Sequence, residues 1–422
     1  MGAATLIWTR VLFLALFLSL IYGVQRFWFL RAWRAIDDVN TLALRNSLHV
    51  LLLAAAIALL ASLLDPLLGH FIPRNLIGQG LITATRLWLI ASFFAFIAVQ
   101  SVGAIEWTTS LPARMKAGGA VDFDPSRRTF FRYAAYLAGA VPFLVTSYGF
   151  AAGRLRYRVE RVDVPIHGLP PGLDGMRIAQ LSDIHIGEYM PRHEIARAVE
   201  MANDLDAHLA VVTGDFVSDR NDPLDDCITE LAKLKAPLGV WGCNGNHEIY
   251  AGAEDAAQTL FHQHGMRLLR QENVELTHNE EKFNLIGVDY QRDHMTSGAP
   301  TGPMLSDASH FVRRDVPNIL LSHNPNSFRR AAELGIELSL AGHTHGGQIQ
   351  FEIVDHRFSP ARLITDFVAG LYHLPFSNGA AHADPSGEKK AFLYVNRGLG
   401  TFGMPVRIGV PPEITLLTLR RA

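Results

Sequence analysis

Two histidines stand one residue apart inside the glycine-rich stretch AGHTHGGQ, Ala341 to Gln348. Alternate residues of an extended strand point the same way, so His343 and His345 could both face one ligand. The glycines would let backbone or ligand approach closely. A polar turn with two solvated histidines explains an isolated pair equally well. The choice between these interpretations depends on what the rest of the chain supplies.

Four other short runs place acids, amides and histidines directly after an apolar stretch: Asp183-Ile184-His185, Gly214-Asp215, Gly245-Asn246-His247-Glu248 and Ser322-His323-Asn324. Each alone would be weak evidence, because such residues are common in turns. Together they offer oxygen and nitrogen donors without sulfur, which suits divalent ions such as Mn, Fe or Zn. The donors outnumber the needs of one ion, so the pattern predicts two ions that share a carboxylate.

The elements that would position these donors are those of an α/β domain from about Arg154 onward. Short apolar runs such as Met176–Asp183 and Leu209–Asp215 have the length and flanks of strands covered on both faces. Helix-like stretches, among them Arg192–Leu205 and Pro223–Lys235, lie between several of them. Strands that alternate with helices predict a layered α/β fold, whose ligands gather beyond the carboxyl ends of the strands.

The blocks DIH, GD, GNHE, SHNP and GHTHGGQ, in this order, resemble the signature of the calcineurin-like metallophosphoesterases. The resemblance runs from about Val159 to the C-terminus and is strongest to membrane-attached bacterial members. It implies a two-sheet sandwich flanked by helices, with two divalent metal ions at the sheet edge.

The resemblance also implies a role for each matching residue. Asp183, His185 and His345 would hold the first metal, while Asn246, His323 and His343 would hold the second. Asp215 would bridge both, and His247 would be catalytic, stabilising charge on the phosphate or protonating the leaving oxygen. Metal-bound hydroxide would then attack phosphorus directly. Glu248 would lie just outside the ligand set, and Arg397 is a candidate for substrate binding, although a simple turn at Asn396–Gly400 is an equal alternative.

The first 153 residues have a different composition. Four long segments lack Lys, Arg, Asp and Glu: Val11–Gln25, Asn46–Leu64, Leu87–Ile105 and Tyr133–Gly153. Each approaches or reaches the ~20 residues that cross a bilayer. One such segment could be a buried soluble helix, but four in succession predict an α-helical membrane domain with four transmembrane helices over residues 1–153, followed by the catalytic domain over 154–422.

Basic residues bear on the orientation in the membrane. The loops Arg26–Arg45 and Glu106–Arg132 would share one side and carry nine Lys and Arg residues, which places them in the cytoplasm and the catalytic domain outside. The basic cluster from Arg154 to Arg161 opposes this orientation. The segment Ser126–Ala140 (SRRTFFRYAAYLAGA) resembles a twin-arginine export signal, with ordinary basic residues beside a membrane helix as the alternative.

Composition limits the partners. Lys and Arg (38) nearly balance Asp and Glu (40), so a nucleic-acid partner bound through bulk charge is not expected. The two cysteines, Cys227 and Cys243, exclude a cysteine-rich zinc module and leave a disulfide undecided. The expected partners are the lipid bilayer and a phosphate-ester substrate, with a lipid or cell-envelope ester first. The alternative is a non-enzymatic membrane protein whose C-terminal domain binds metal or phosphate for regulation.

Overall fold

The computed structural model describes residues 3–65, 68–69, 71–73, 75–117, 125–291, 304–353, 356–363, 365–376 and 389–422. The chain divides into two compact units, a helical unit over Met1–Phe150 and an α/β unit over Ala151–Ala422. Each unit is described by itself below.

The described residues of the helical unit form four long helices: α1 (Ala3–Asp37), α2 (Leu42–Leu64), α3 (Leu76–Ala117) and α4 (Pro125–Ala151). Leucine, valine and phenylalanine side chains cover much of their surface and are exposed, which is expected where lipid replaces water as the solvent. Among the described residues, three helical stretches are long and apolar enough to cross a membrane: Leu42–Leu64, Leu76–Pro112 and Pro125–Leu155. Three of the four predicted spans are therefore supported, and the span in α1 stays a prediction.

Polar side chains connect α1 to α3 around the buried Ser92. Gln25 Nε2 donates to Ser92 Oγ at 3.1 Å, and Trp88 Nε1 donates to Gln25 Oε1 at 2.8 Å. Trp28 Nε1 donates to the carbonyl oxygen of Ser92 at 2.9 Å. In an apolar environment an unsatisfied amide or indole is costly, so these bonds fix how α1 lies against α3.

The α/β unit contains fourteen strands among its described residues: β1 (Arg158–Ile166), β2 (Arg177–Leu181), β3 (Leu209–Thr213), β4 (Val240–Cys243), β5 (Arg267–Leu268), β6 (Glu272–His278), β7 (Glu281–Gly287), β8 (Asn318–Leu321), β9 (Leu338–Ala341), β10 (Phe351–Ile353), β11 (His356–Phe358), β12 (Gly370–Pro375), β13 (Lys390–Val395) and β14 (Glu413–Arg421). Its described helices are α5 (Arg192–Asn203), α6 (Leu224–Leu231), α7 (Asn246–Ala251), α8 (Glu254–Gln263) and α9 (Phe328–Leu334).

Among the described residues, twelve of the strands form two six-stranded sheets, and β10 and β11 form a separate antiparallel pair. The first has the order β1-β14-β2-β3-β4-β5, and the second has the order β12-β13-β9-β8-β7-β6. Strands β2 to β5 run parallel in the first sheet, as do β7, β8, β9 and β13 in the second. This arrangement confirms the predicted two-sheet α/β fold.

Side chains alternate between two apolar layers. In β3, Leu209 and Val211 enter the core between the sheets, while Ala210 and Val212 face the layer that α5, α6 and α8 cover. In β8, Ile319 and Leu321 join the same inter-sheet core, and Leu320 packs on the opposite face. Because both faces of these strands are covered, their sequences are continuously apolar and end abruptly at the first polar residue. Cys227 and Cys243 are buried free thiols, which settles the question of their pairing.

Candidate metal centre

Four of the predicted ligands meet where β2 and β3 of the first sheet and β9 of the second end. One ligand atom from each of Asp183, His185, Asp215 and His345 lies within 4.8 Å of the others, and all four residues are buried. His185 Nε2 lies 3.1 Å from His345 Nε2 and 3.5 Å from Asp215 Oδ2. His345 Nε2 lies 3.3 Å from Asp183 Oδ1. We call these four residues the first cluster.

A second cluster shares Asp215 and adds His323, which follows β8, and His343, which follows β9. His323 Nε2 lies 3.2 Å from Asp215 Oδ2. Asn246, the first residue of α7, brings its Oδ1 to 2.7 Å from His343 Nδ1. The structure thus places all seven predicted ligands at one edge of the sandwich, with Asp215 common to both clusters.

The distances between ligand atoms fit bound cations. Atoms held 2.0–2.2 Å from one ion lie about 3 to 3.6 Å from each other, and the contacts of the first cluster fall in this range. His323 fits the same interpretation. Its Nδ1 contacts the carbonyl oxygen of Thr213 and therefore carries a proton, so Nε2 is the ring atom that faces Asp215. Positive charge at this position, from a second ring proton or from a metal ion, would offset the charge of the carboxylate.

The backbone at the site is strained. Asp183, His185, Asp215, His343 and His345 have φ values of 49°, 50°, 56°, 74° and 52°. Side chains other than glycine occupy this left-handed region at a cost of roughly 1–3 kcal/mol each, and such residues cluster at functional sites. Five strained residues in one constellation indicate that the fold places these side chains for function.

Glycines let the strands' ends pack directly on the carboxylates. A Cβ at Gly342 would lie 2.2 Å from Asp183 Oδ2, and a Cβ at Gly245 would lie 2.2 Å from Asp215 Oδ1. Glycine is therefore required by close approach at both positions. The N–H of His343, which follows Gly342, donates to both Asp183 oxygens at 2.9 and 3.1 Å.

Burial sets the charge of the histidines. It lowers the pKa of His185 to about 3 and that of His343 to about 4, so both are neutral imidazoles at neutral pH, the form that binds metal. Burial also lowers the pKa of His323, but the adjacent Asp215 carboxylate outweighs it and raises this pKa to about 10. Within the described residues, no Lys or Arg pairs with Asp183 or Asp215, so positive charge at Asp215 must come from a proton or a metal ion.

Glu248 holds the loop that carries Asp215. Its buried carboxylate accepts four backbone N–H bonds, from Asp215 (2.9 Å), Phe216 (2.7 Å), Val217 (3.3 Å) and Gly245 (2.7 Å). Glu248 belongs to neither cluster, in agreement with the expectation that it lies just outside the ligand set. The carboxylate joins the loop after β3 to the start of α7, and so fixes Asp215 relative to Asn246.

Ser218 positions two histidines at once, and sequence reasoning missed it. Its Oγ lies 2.9 Å from His185 Nδ1, and its carbonyl oxygen lies 2.9 Å from His247 Nδ1. The carbonyl can only accept, so His247 carries a proton on Nδ1 and leaves Nε2 for another partner. The backbone N–H of His247 donates to Asp215 Oδ1 at 2.9 Å, and its ring centroid lies 4.8 Å from that of His185. His247 therefore borders the first cluster without belonging to it.

The guanidinium group of Arg397 forms ion pairs with two carboxylates. Its Nε pairs with Glu413 and its Nη2 pairs with Glu160. The turn Asn396–Gly400 instead contributes its backbone, because the N–H groups of Leu399 and Gly400 donate to the carbonyl oxygens of Ser182 and Asp183. Fully buried Arg407 holds this turn by donating to the carbonyls of Arg397, Gly398 and Gly400. These contacts favour the turn interpretation over substrate binding by Arg397.

Comparison with known proteins agrees with this geometry. A family model described as calcineurin-like phosphoesterase matches residues 176–347. The chain is similar to a transmembrane protein with metallophosphoesterase domain from Bos taurus, at 32% identity over 316 residues that cover 73% of this chain and 67% of that protein. The protein of the same name from Danio rerio is 28% identical over 68% of this chain and 62% of its own length.

A bacterial relative matches over a larger share of its own length. An uncharacterized metallophosphoesterase from Bacillus subtilis (strain 168) is 29% identical over 70% of this chain and 98% of its own length. The chain spans about two thirds of the vertebrate relatives but nearly all of this one. The shared part, the two-sheet fold and the Asp and His clusters lead to one conclusion: the chain belongs to the calcineurin-like metallophosphoesterases, enzymes that hydrolyse phosphate esters.

Proposed function

We propose that this chain is a membrane-anchored phosphoesterase whose site holds two divalent cations. Asp183, His185 and His345 would hold one cation, and Asn246, His323 and His343 the other, with Asp215 between them. The observation that carries the proposal is the shared position of Asp215, whose carboxylate belongs to both clusters of ligand atoms.

The cations, when bound, would neutralise charge on the phosphate and activate water for in-line attack on phosphorus. His247 would act on the other side of the reaction, at the leaving group. Since Ser218 fixes the proton of His247 on Nδ1, the protonated ring would present its Nε2–H to the phosphate. It would stabilise charge there or give this proton to the leaving ester oxygen. The P–O bond to the leaving group then breaks as an alcohol departs, without a covalent enzyme intermediate.

The substrate would be a phosphodiester, a pyrophosphate or a phosphomonoester, with a lipid or cell-envelope ester as the first choice. The test uses the full chain, purified in detergent, stripped of metal by a chelator and reloaded separately with Mn, Fe or Zn. We expect close to two ions per chain, and turnover of at least one class among chromogenic mono-, di- and pyrophosphate esters. Two bound ions without turnover of any ester would contradict the proposed activity. Fewer than two ions in an active enzyme would contradict the dinuclear site.

We extend the proposal to the membrane arrangement: α1 is the fourth span, and the α/β unit lies on the extracytoplasmic side. The hydrogen bonds of Gln25 and Trp28 to Ser92 support a place for α1 in the helical unit. Arg127 donates to the carbonyl oxygen of Glu106 at 3.1 Å and to Thr109 Oγ1 at 2.8 Å. These contacts join α4 to α3 and give Arg127 a packing role whether or not it also serves an export signal.

A reporter fused after Ala422 that works only outside the cytoplasm tests this arrangement. We expect it to be active, and cytoplasmic activity of a complementary reporter would contradict the orientation. Arg128→Lys is the variant for the twin-arginine route, with Arg127→Lys made separately because that change also disturbs the contact with α3. If the reporter stays external in both variants, the twin-arginine export signal is not used, and the proposed orientation still holds.

A further inference from the structure

Two aromatic rings stand beside His247 and are open to solvent. The ring centroid of Phe402 lies 4.4 Å from that of His247, and the ring centroid of Tyr250 lies 5.5 Å from it. Phe402 also stacks on His185 at 5.7 Å. Phe402 is 49% exposed and Tyr250 is 54% exposed, although each adjoins a buried catalytic or metal-binding histidine. We call Phe402 and Tyr250 the aromatic rim.

Gln348 holds Phe402 in this place. Its Nε2 donates to the carbonyl oxygen of Phe402 at 2.8 Å, and its Oε1 accepts the Phe402 N–H at 3.0 Å. This reciprocal pair spans a separation of 54 residues and uses the last residue of the GHTHGGQ block. The pair fixes the backbone of Phe402, from which the ring extends to His247 and His185.

The location of the rim determines what would cover it. If His247 donates a proton to the leaving oxygen, the group attached to that oxygen must extend past the rings that border His247. Phe402 has no hydrogen-bonding side-chain atom, and neither has Ile249, a neighbour of the rim in the chain that is 37% exposed. The thioether of Met404, which is 47% exposed, is only a weak acceptor. Although Tyr250 carries a hydroxyl, a sugar or a charged leaving group would lose hydration over this largely apolar surface for few partners. An aliphatic group would gain by removing apolar surface from water.

We propose that the aromatic rim binds the aliphatic part of the leaving alcohol, so that the enzyme prefers amphiphilic phosphate esters. This inference rests on the proposed function, because it uses His247 to locate the leaving group. Phe402 and Tyr250 act as specificity-determining residues, and Gln348 acts as a positioning residue for Phe402. The same chain has helices long and apolar enough to cross a membrane, where such amphiphiles reside.

The test is calorimetric binding of ethylphosphonate and decylphosphonate to the metal-loaded full chain in detergent. Both compounds carry the same phosphorus group on a C–P bond that ester hydrolysis does not cleave, and they differ only in chain length. We expect decylphosphonate to bind at least about tenfold more tightly, from the gain for each methylene that the rim covers. Phe402→Ser, Tyr250→Ser and Gln348→Leu should each reduce this ratio. Leu371→Ser is the matched control, because Leu371 is an exposed apolar residue (38%) on the edge strand β12.

The ratio is informative because partition of decylphosphonate into detergent is the same for every variant. A ratio near one in the unmodified protein would overturn the proposal, and so would an unchanged ratio in both Phe402→Ser and Tyr250→Ser. If Phe402→Ser does not fold, Tyr250→Ser and Gln348→Leu decide the question. A high ratio that falls in these variants, with no turnover of chromogenic esters, would keep the rim and contradict the proposed function. Turnover of chromogenic esters with a decylphosphonate-to-ethylphosphonate affinity ratio near one would support the proposed function and contradict the role of the rim.

Discussion

The two ligand clusters differ in charge and in how the fold holds them. The first contains two carboxylates, Asp183 and Asp215, while the second has Asp215 and the neutral amide of Asn246. Every ligand of the first cluster has a left-handed backbone, whereas in the second Asn246 begins a helix and His323 follows a strand without positive φ. The first site is therefore more negative and more rigidly specified, and we expect it to bind its cation more tightly.

The largest effect is expected at the residue common to both clusters. Asp215→Asn removes the shared charge, so both cations should be lost together. Activity should fall by more than the ~10–100-fold typical of a residue that only orients a ligand. Metal content per chain and kcat/KM are the measurements, with Asp163→Asn as the control, since Asp163 is an exposed carboxylate paired with Arg420. Retention of both ions by Asp215→Asn would show that the carboxylate does not bridge them.

His247 lies beside the first cluster but outside the ligand set, so its loss should separate chemistry from metal binding. His247→Ala should retain both cations and lower kcat by ~10²–10⁴, the usual range for general acid–base catalysis. The loss should be smaller for esters of nitrophenol, whose leaving oxygen needs less protonation. The exposed His193→Ala is the matched control. Equal losses for good and poor leaving groups would restrict His247 to charge stabilisation or binding.

Ser218 offers a way to disturb one cluster alone. Ser218→Ala removes the Oγ beside His185 Nδ1 but leaves the backbone carbonyl that contacts His247. Affinity for the more tightly held cation should fall by ~10–100-fold, while the dependence of rate on the leaving group stays as it was. Chelator titration and the leaving-group series measure these two quantities. A changed leaving-group dependence would mean that Ser218 acts mainly through His247.

The grouping of the predicted ligands follows from sequence because each lies within a few residues of the end of an apolar strand, where local pattern and parallel topology coincide. The contacts that support the site could not be predicted in this way. Ser218 acts partly through a backbone carbonyl, Glu248 accepts from N–H groups more than thirty residues away, and Gln348 reaches Phe402 across a separation of 54 residues. None of these partners leaves a periodic signal. β14 likewise inserts between β1 and β2, which no local pattern indicates.

In the helical unit, composition predicts the elements themselves but not where they begin and end. Its apolar segments were visible in composition, yet α1 and α3 extend well beyond the segments predicted for them, over Ala3–Asp37 and Leu76–Ala117. Charged residues such as Arg26, Arg31 and Glu106 interrupt hydropathy but do not break a helix. The absence of charge therefore marked the part of each helix that suits a membrane interior, and missed the ends that continue past it.

The smallest effect is expected from changing the difference in charge between the two ligand clusters. In the unmodified protein, chelator titration should release the cations in two steps, the second-cluster cation first, because ligand charge tunes cation affinity. Asn246→Asp would give that cluster a second carboxylate at the atom 2.7 Å from His343 Nδ1. It should bring the two steps together by about an order of magnitude in affinity, the scale on which ligand charge acts. Asn244→Asp is the control, because Asn244 is equally buried nearby but its amide donates to Asp289 at 2.9 Å. If Asn246→Asp leaves the steps as far apart as before, the difference between the clusters lies in the rigidity of their backbones and not in their charge.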